Sequence, residues 1–217
     1  NIAVGSNTTA DNGSSAFGIN ATANNQSLAI GLNGNSSSSA SATNQSIAIA
    51  NNAQAGSDGQ YAAVAQGNGA TDPYAQTTAI GSGAKVTSPY GTALGSGTSA
   101  AYYATALGYS ASATSQYTTA VGDGAGAHGT SATALGNGAA ANADYDTAIG
   151  SGAATGGGDA TALGYNAKAQ APNATALGSS AEASFHAIAI GAASASSSYA
   201  LAAGDGANAQ EYQAIAP

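Results

Sequence analysis

Few residues in this chain could do chemistry, and their spacing argues against it. Two histidines, His128 and His186, stand far apart with no cysteine anywhere and no carboxylate in a repeating relation to either. Nucleophile, base and orienting group therefore converge nowhere, and the sequence reads as non-enzymatic. The Gly-Asp-Gly runs at 122–124 and 204–206, and Gly156 to Asp159, have the composition of cation-binding turns, but the acids do not recur at ligand spacing. No metal and no cofactor is expected. Ten acids against two lysines, with no arginine, give a net charge of −8. Such a chain carries no electrostatic footprint for nucleic acid and none for anionic lipid. No apolar run approaches the ~20 residues of a membrane span, so no direct membrane contact is expected.

What does recur is uncharged. Tyrosine returns at Tyr90, Tyr103, Tyr117, Tyr145 and Tyr199, and threonine at eight sites from Thr78 to Thr175. A serine-rich insertion at 33–43 contains Asn33, Asn35 and Ser37. Tyrosine supplies contact area at low entropy cost, and loops on a rigid scaffold commonly carry binding. The five tyrosines with Asn33, Asn35 and Ser37 are therefore the candidate ligand-binding residues. The competing reading makes the tyrosines corner stacks and the insertion a spacer.

These residues must be positioned by a repeat. The chain holds 59 alanines, but only 24 of its 217 residues are Ile, Leu, Val or Phe, which excludes an ordinary globular core. Anchored on the residue, usually aliphatic, before a glycine or alanine, the pattern runs through Val4, Phe17, Ile30, Ile49, Val64, Ile80, Leu94 and Leu107. It continues through Val121, Leu135, Ile149, Leu163, Leu177, Ile190, Ala203 and Ile215. Most spacings are 13 or 14, the longest is 19, and alanine precedes every anchor. Small residues follow at +4 and +6, and the tyrosines fall at −4.

Positions −2 and 0 share one face of an extended segment, and −1 faces the other way. The +4/+6 pair makes a second strand. Two short strands per 13–14 residues predict an all-β fold, a parallel β-solenoid of about 15 coils forming a single domain over 1–217. On this reading Ile, Leu, Val and Thr face inward. The alanine at −1 points out, and since a solvated strand would vary there, it marks a second buried surface. A homo-oligomer is expected, packed along the ladder that includes Ala79, Ala93, Ala106, Ala120, Ala134, Ala148, Ala162 and Ala176. A helix is disfavoured, because glycine in every repeat would cost about 1 kcal/mol each time. An inward threonine column also argues against an ice-binding array, which stays, with a spacer in a surface or phage fibre, as the alternative.

The runs Asn-Gln-Ser-Leu-Ala-Ile-Gly at 25–31 and Asn-Gln-Ser-Ile-Ala-Ile-Ala at 44–50 resemble the Asn-Ser-Val-Ala-Ile-Gly repeat of YadA-like heads, the distal modules of trimeric autotransporter adhesins. The later Thr-Ala-Leu-Gly repeats keep the same register. The resemblance implies a left-handed parallel β-roll, packed as a homotrimer and displayed on the bacterial cell surface. It implies anchoring in the outer membrane through C-terminal segments absent from these 217 residues. It also implies adhesion to extracellular-matrix proteins (collagen, fibronectin or laminin), to host cells, or to other copies of itself. Two departures are visible. The family's asparagine at −4 is Gln or Tyr in many repeats, and its Val at −2 is Thr in the central eight, so the collagen binding tied to the family's own motif does not transfer with them.

Overall fold

A computed structural model describes residues 1–31, 39–56 and 62–216. They divide into two compact units, Asn1–Ser110 and Ala111–Pro217. Both are all-β, and no helix occurs among the described residues. In the first unit the anchored strands, from Ile2–Val4 through Thr78–Ile80 to Thr105–Leu107, form one parallel sheet. The second strands of each repeat, from Thr9–Ala10 through Lys85–Val86 to Ser99–Ala100, form another. The second unit repeats the arrangement, with anchored strands from Thr119–Val121 to Ile215–Ala216 and second strands from Ser112–Ala113 to Asn208–Ala209. Each unit is thus a parallel β-solenoid.

Register is kept by like residues meeting like. Thr133, Ala134 and Leu135 pair with Thr147, Ala148 and Ile149, and these with Thr161, Ala162 and Leu163. Between strands the corners are held by the same ladder. The amide of Gly150 donates to Leu135 O (2.8 Å) and that of Gly152 to Asn137 O (2.9 Å). The residue at −4 adopts a left-handed conformation repeat after repeat, from Gln26 (φ 62°) through Tyr145 (φ 60°) to Gln213 (φ 58°). That turn aims its amide along the solenoid, as when Tyr145 N donates to Thr130 O at 2.9 Å.

The pairing corrects two anchors. Thr78, Ala79 and Ile80 pair with Val64, Ala65 and Gln66, so Val64 sits at −2 and Gln66 is the anchor. Gly67, at φ 134°, then follows the anchor as Gly81 (φ 135°) does in the next repeat. Likewise Leu201 pairs with Ile215 and Ala202 with Ala216, which moves Ile215 to −2. In both places an aliphatic residue two positions early imitated the anchor.

A larger correction concerns which face is inside. The −1 alanines expected at a trimer interface, Ala79, Ala93, Ala106, Ala120, Ala134, Ala148, Ala162 and Ala176, are all fully buried within their own chain. They have no surface to offer a partner. The anchors instead face outward: Leu107, Leu135, Leu163 and Ile190 are 43, 41, 47 and 44 % exposed. The threonines at −2 share that outer face and are half-buried or exposed. The interior is filled from −3, −1, +4 and +6, as by Ala132, Ala134, Ala139 and Ala141, each at 0 % exposure. Two sheets this close have room between them for methyl groups and not for leucines; inserting larger side chains into a packed interior is destabilising.

Several polar groups of the interior are met by backbone amides. In the first repeats Ser14 Oγ accepts from Ser27 N (3.1 Å), Ser27 Oγ from Ser46 N (3.2 Å) and Ser46 Oγ from Ala63 N (3.2 Å). Buried Asp146 accepts from the amides of Ala143, Gly158 and Ala160 at 3.0, 3.1 and 3.0 Å. Asp72 is only partly satisfied. It occupies the +6 column, paired with Ala55, and is fully buried. Its Oδ2 accepts from Val64 N at 3.2 Å, while Oδ1 has no partner. Burial pushes its carboxyl up to about 6 from an ordinary 3.8, opposed by hydrogen bonds from Thr77 and from the Val64 and Ala79 amides.

Candidate functional site

Two surfaces stand out. The first is the outer face of the anchored sheet, where a column of Ile, Leu and Val runs beside a column of threonine. In the first unit it includes Ile30, Ile49, Ile80, Leu94 and Leu107, and in the second Leu135, Ile149, Leu163, Leu177 and Ile190. All are partly or substantially exposed. Soluble single chains rarely leave an apolar column so continuous uncovered, and such a surface marks an interaction site. The first unit's column is interrupted by Gln66, which is exposed.

The second surface is the corner carrying position −4. All five tyrosines predicted as ligand-binding residues lie there, with Tyr90, Tyr103, Tyr117, Tyr145 and Tyr199 exposed by 38, 47, 54, 61 and 46 %. Each has positive φ, between 50° and 63°. A left-handed conformation costs a residue with a Cβ roughly 1–2 kcal/mol, and Asn or Gly, as at Asn173 and Gly13, would carry it more easily. Stacking offsets part of that cost. Tyr90 and Tyr103 stack with ring centroids 4.5 Å apart, and His186 lies on Tyr199 at 4.9 Å with planes 7° apart. Phe185 and Tyr212 meet Tyr199 edge-on at 5.9 and 5.5 Å. Tyr90 and Tyr103 stand on this corner in the first unit, and Tyr117, Tyr145 and Tyr199 at the same repeat position in the second. Asn33, Asn35 and Ser37 lie outside the described residues.

Replacing Tyr145 by Asn separates the two readings of this corner. Tyr145→Asn is expected to leave the melting temperature unchanged or slightly raised, since Asn tolerates positive φ. A loss of ligand binding without loss of stability then assigns the tyrosine to recognition. A fall in stability assigns it to the corner.

Sequence reasoning missed an amide ladder at position −5. Asn12 Nδ2 donates to Asn25 Oδ1 (2.8 Å) and Asn25 Nδ2 to Asn44 Oδ1 (2.9 Å). With Gln26 and Gln45 these residues line a shallow groove. The Asn-Gln dipeptides at 25–26 and 44–45 were its visible trace. His128 is held by Thr114 Oγ1 at 2.9 Å from Nδ1 and overlies Gly126. Among the described residues no three His, Cys, Asp or Glu side chains cluster to hold a metal, and no helix is long and apolar enough to cross a membrane.

A repeat of mostly 13–14 residues, a glycine after nearly every anchor and two parallel sheets define a short-repeat β-solenoid. Residues 75–98, 100–125, 127–153 and 156–181 match the YadA head domain repeat. Residues 75–181 are therefore built of YadA-like head repeats. Among solved structures the chain is similar to the collagen-binding domain of the Yersinia adhesin YadA, with 27 % identity over 58 % of this chain and a TM-score of 0.46. The match spans 64 % of that domain. None of the curated proteins matches the chain.

Proposed function

We propose that this head is the binding module of a bacterial surface adhesin, working as a homotrimer. The observation that carries the trimer is the outward aliphatic column, regular in register and left uncovered by the chain itself. Three copies packed along it would bury what remains exposed of the anchors, most contributing less than half of the roughly 1.5–3 kcal/mol that a fully exposed side chain gains on burial. The interface thereby passes from the −1 alanines to the anchors. In keeping with the family, the roll would be left-handed and continuous over 1–217, displayed outside the outer membrane on segments beyond these residues. Adhesion would be non-enzymatic. Exposed tyrosines and the amide groove would make weak contacts with matrix proteins or other cell surfaces, multiplied by trimer avidity. A trimer would carry three times −8, or −24, which disfavours polyanionic partners.

Equilibrium sedimentation tests the assembly. The wild-type chain should sediment at three times its 20.2 kDa mass, and Leu135→Asp with Leu163→Asp should sediment as a monomer. A monomeric wild type would overturn the trimer. An array of collagen, fibronectin, laminin and cell surfaces tests adhesion, and no response to any of them would count against it. A second reading gains one observation from the structure. The threonine column faces out on the anchored sheet, which restores the premise of an ice-binding array that an inward column had removed. A monomer showing thermal hysteresis would favour that reading, since a trimer covers the same face.

A further inference from the structure

The chain lacks cysteine, methionine and tryptophan, yet holds eleven tyrosines. The sulfur side chains that usually absorb oxidising equivalents are missing, which leaves the phenols as the readily oxidised groups. Two of them are already paired. Tyr90 and Tyr103 occupy position −4 of successive repeats, with ring centroids 4.5 Å apart and planes 15° from parallel. Tyr102 meets both edge-on, at 6.0 and 4.6 Å. Backbone geometry fixes the pair: both residues are left-handed, at φ 63° and 50°. Tyr90 N donates to Ala75 O and Tyr103 N to Pro89 O, each at 3.3 Å. Exposures of 38 and 47 % leave both rings open to a soluble oxidant.

We propose that Tyr90 and Tyr103 form an oxidative cross-linking site, converted to dityrosine by a peroxide acting with a haem peroxidase. Each phenol gives one electron and one proton to the oxidant and becomes a phenoxyl radical, with spin density on the ring carbons ortho to oxygen. One such carbon from each ring joins in a new carbon–carbon bond. Each ring then shifts the hydrogen on that carbon to its oxygen and regains the phenol. The pair loses two hydrogen atoms in total, and one hydrogen peroxide becomes two waters. The bond links residues on neighbouring coils, about 4.8 Å apart along the ladder, so it closes by side-chain rotation. It would staple two coils as a short-loop disulfide does, in a chain that has no cysteine to do so.

The test treats the folded head with hydrogen peroxide and a haem peroxidase, using mixed light and isotopically heavy chains to separate intrachain from interchain products. Dityrosine fluorescence should appear. Mass spectrometry of digested protein should find Tyr90 joined to Tyr103 within one chain as the dominant cross-link among residues 1–110, two hydrogens lighter than its parts. Tyr90→Phe and Tyr103→Phe should each abolish that product. Tyr102→Phe should keep it. Phenylalanine preserves ring and stack, and circular dichroism checks that each variant folds. The proposal is overturned if the Tyr90–Tyr103 product is no more abundant than in urea-unfolded chain, or if all cross-links join different chains.

Discussion

Gly150→Ala should destabilise the second unit by at least about 3 kcal/mol, the upper range of local backbone strain, and Gly138→Ala by only about 1 kcal/mol. Both glycines have positive φ, at 130° and 62°. The difference lies in what a Cβ would meet. At Gly138 nothing lies within 4 Å, and the conformation is the one that tyrosines adopt at −4. At Gly150 the added carbon would fall 2.3 Å from Gly164 O and 2.6 Å from its carbonyl carbon, with Gly150 N tied to Leu135 O. The residue is trapped between the coil before and the coil after, and one ladder must give way. Because solenoid repeats contact mainly their neighbours, amide exchange should rise most in the repeats anchored at Leu135, Ile149 and Leu163. Thermal melts of both variants, with exchange mapped by peptide, check this. Equal losses for the two would mean that positive φ alone, without the crowding between coils, governs these corners.

That crowding explains how much of the fold the sequence displayed. The repeat, its two strands and the turn glycines are one-dimensional features, and the spacing from Ile80 to Leu177 states them directly. Period-two parity also showed that Thr133 and Leu135 share a face opposite Ala134. Parity cannot say which face is inside, and the habit of placing leucine inward chose wrongly. It fails because a coil of 13–14 residues encloses too little width for leucine from one sheet and any residue from the other. With Ala132, Ala134, Ala139 and Ala141 filling one coil, the leucine must go out. The slips at Val64 and Ile215 have a different origin. Each lies where an Ala-aliphatic-Ala triplet fits two registers, and at Val64 only the glycine at 67, following Gln66, distinguishes them. The amide ladder from Asn12 to Asn44 left only the Asn-Gln dipeptides at 25–26 and 44–45 as a trace, because its side chains meet across spacings of 13 and 19.

The candidate surfaces follow from the same inversion. Alanine inside makes the roll thin, and thinness turns the large apolar residues into surface, which makes a second chain the natural place to bury them. The corner is affected too. With the interior filled mainly by alanine, tyrosine stands outside, on a −4 corner that is left-handed at Gln26, Ser131 and Asp159 as well. Stacking on the next repeat compensates at Tyr90 and, through His186, at Tyr199.

Asp72→Ala is expected to raise stability at neutral pH by on the order of 3 kcal/mol, the worth of a shift of about two pKa units, and to change little at pH 3. Asp72 is buried where the paired strand carries Ala55, so alanine fits the column. Of the groups that would lose a carboxylate acceptor, Val64 N also donates to Thr77 O at 3.1 Å and Thr77 Oγ1 to Tyr74 O at 2.7 Å, so neither is left unpartnered. The carboxyl sits at about 6 in the folded chain against 3.8 ordinarily, because burial penalises its charge. With the folded value raised, the folded state binds the proton more tightly than the unfolded state. Its contribution is fully present below pH 3.8, declines as pH rises through 6, and is absent above. The wild-type first unit should therefore soften between pH 4 and 7, while the Asp72→Ala variant holds level across that window. Denaturant melts of both proteins at half-unit pH steps measure the gap. A gap that stays constant from pH 3 to pH 8 would show that Asp72 does not titrate between the two states and that its charge is compensated within the roll.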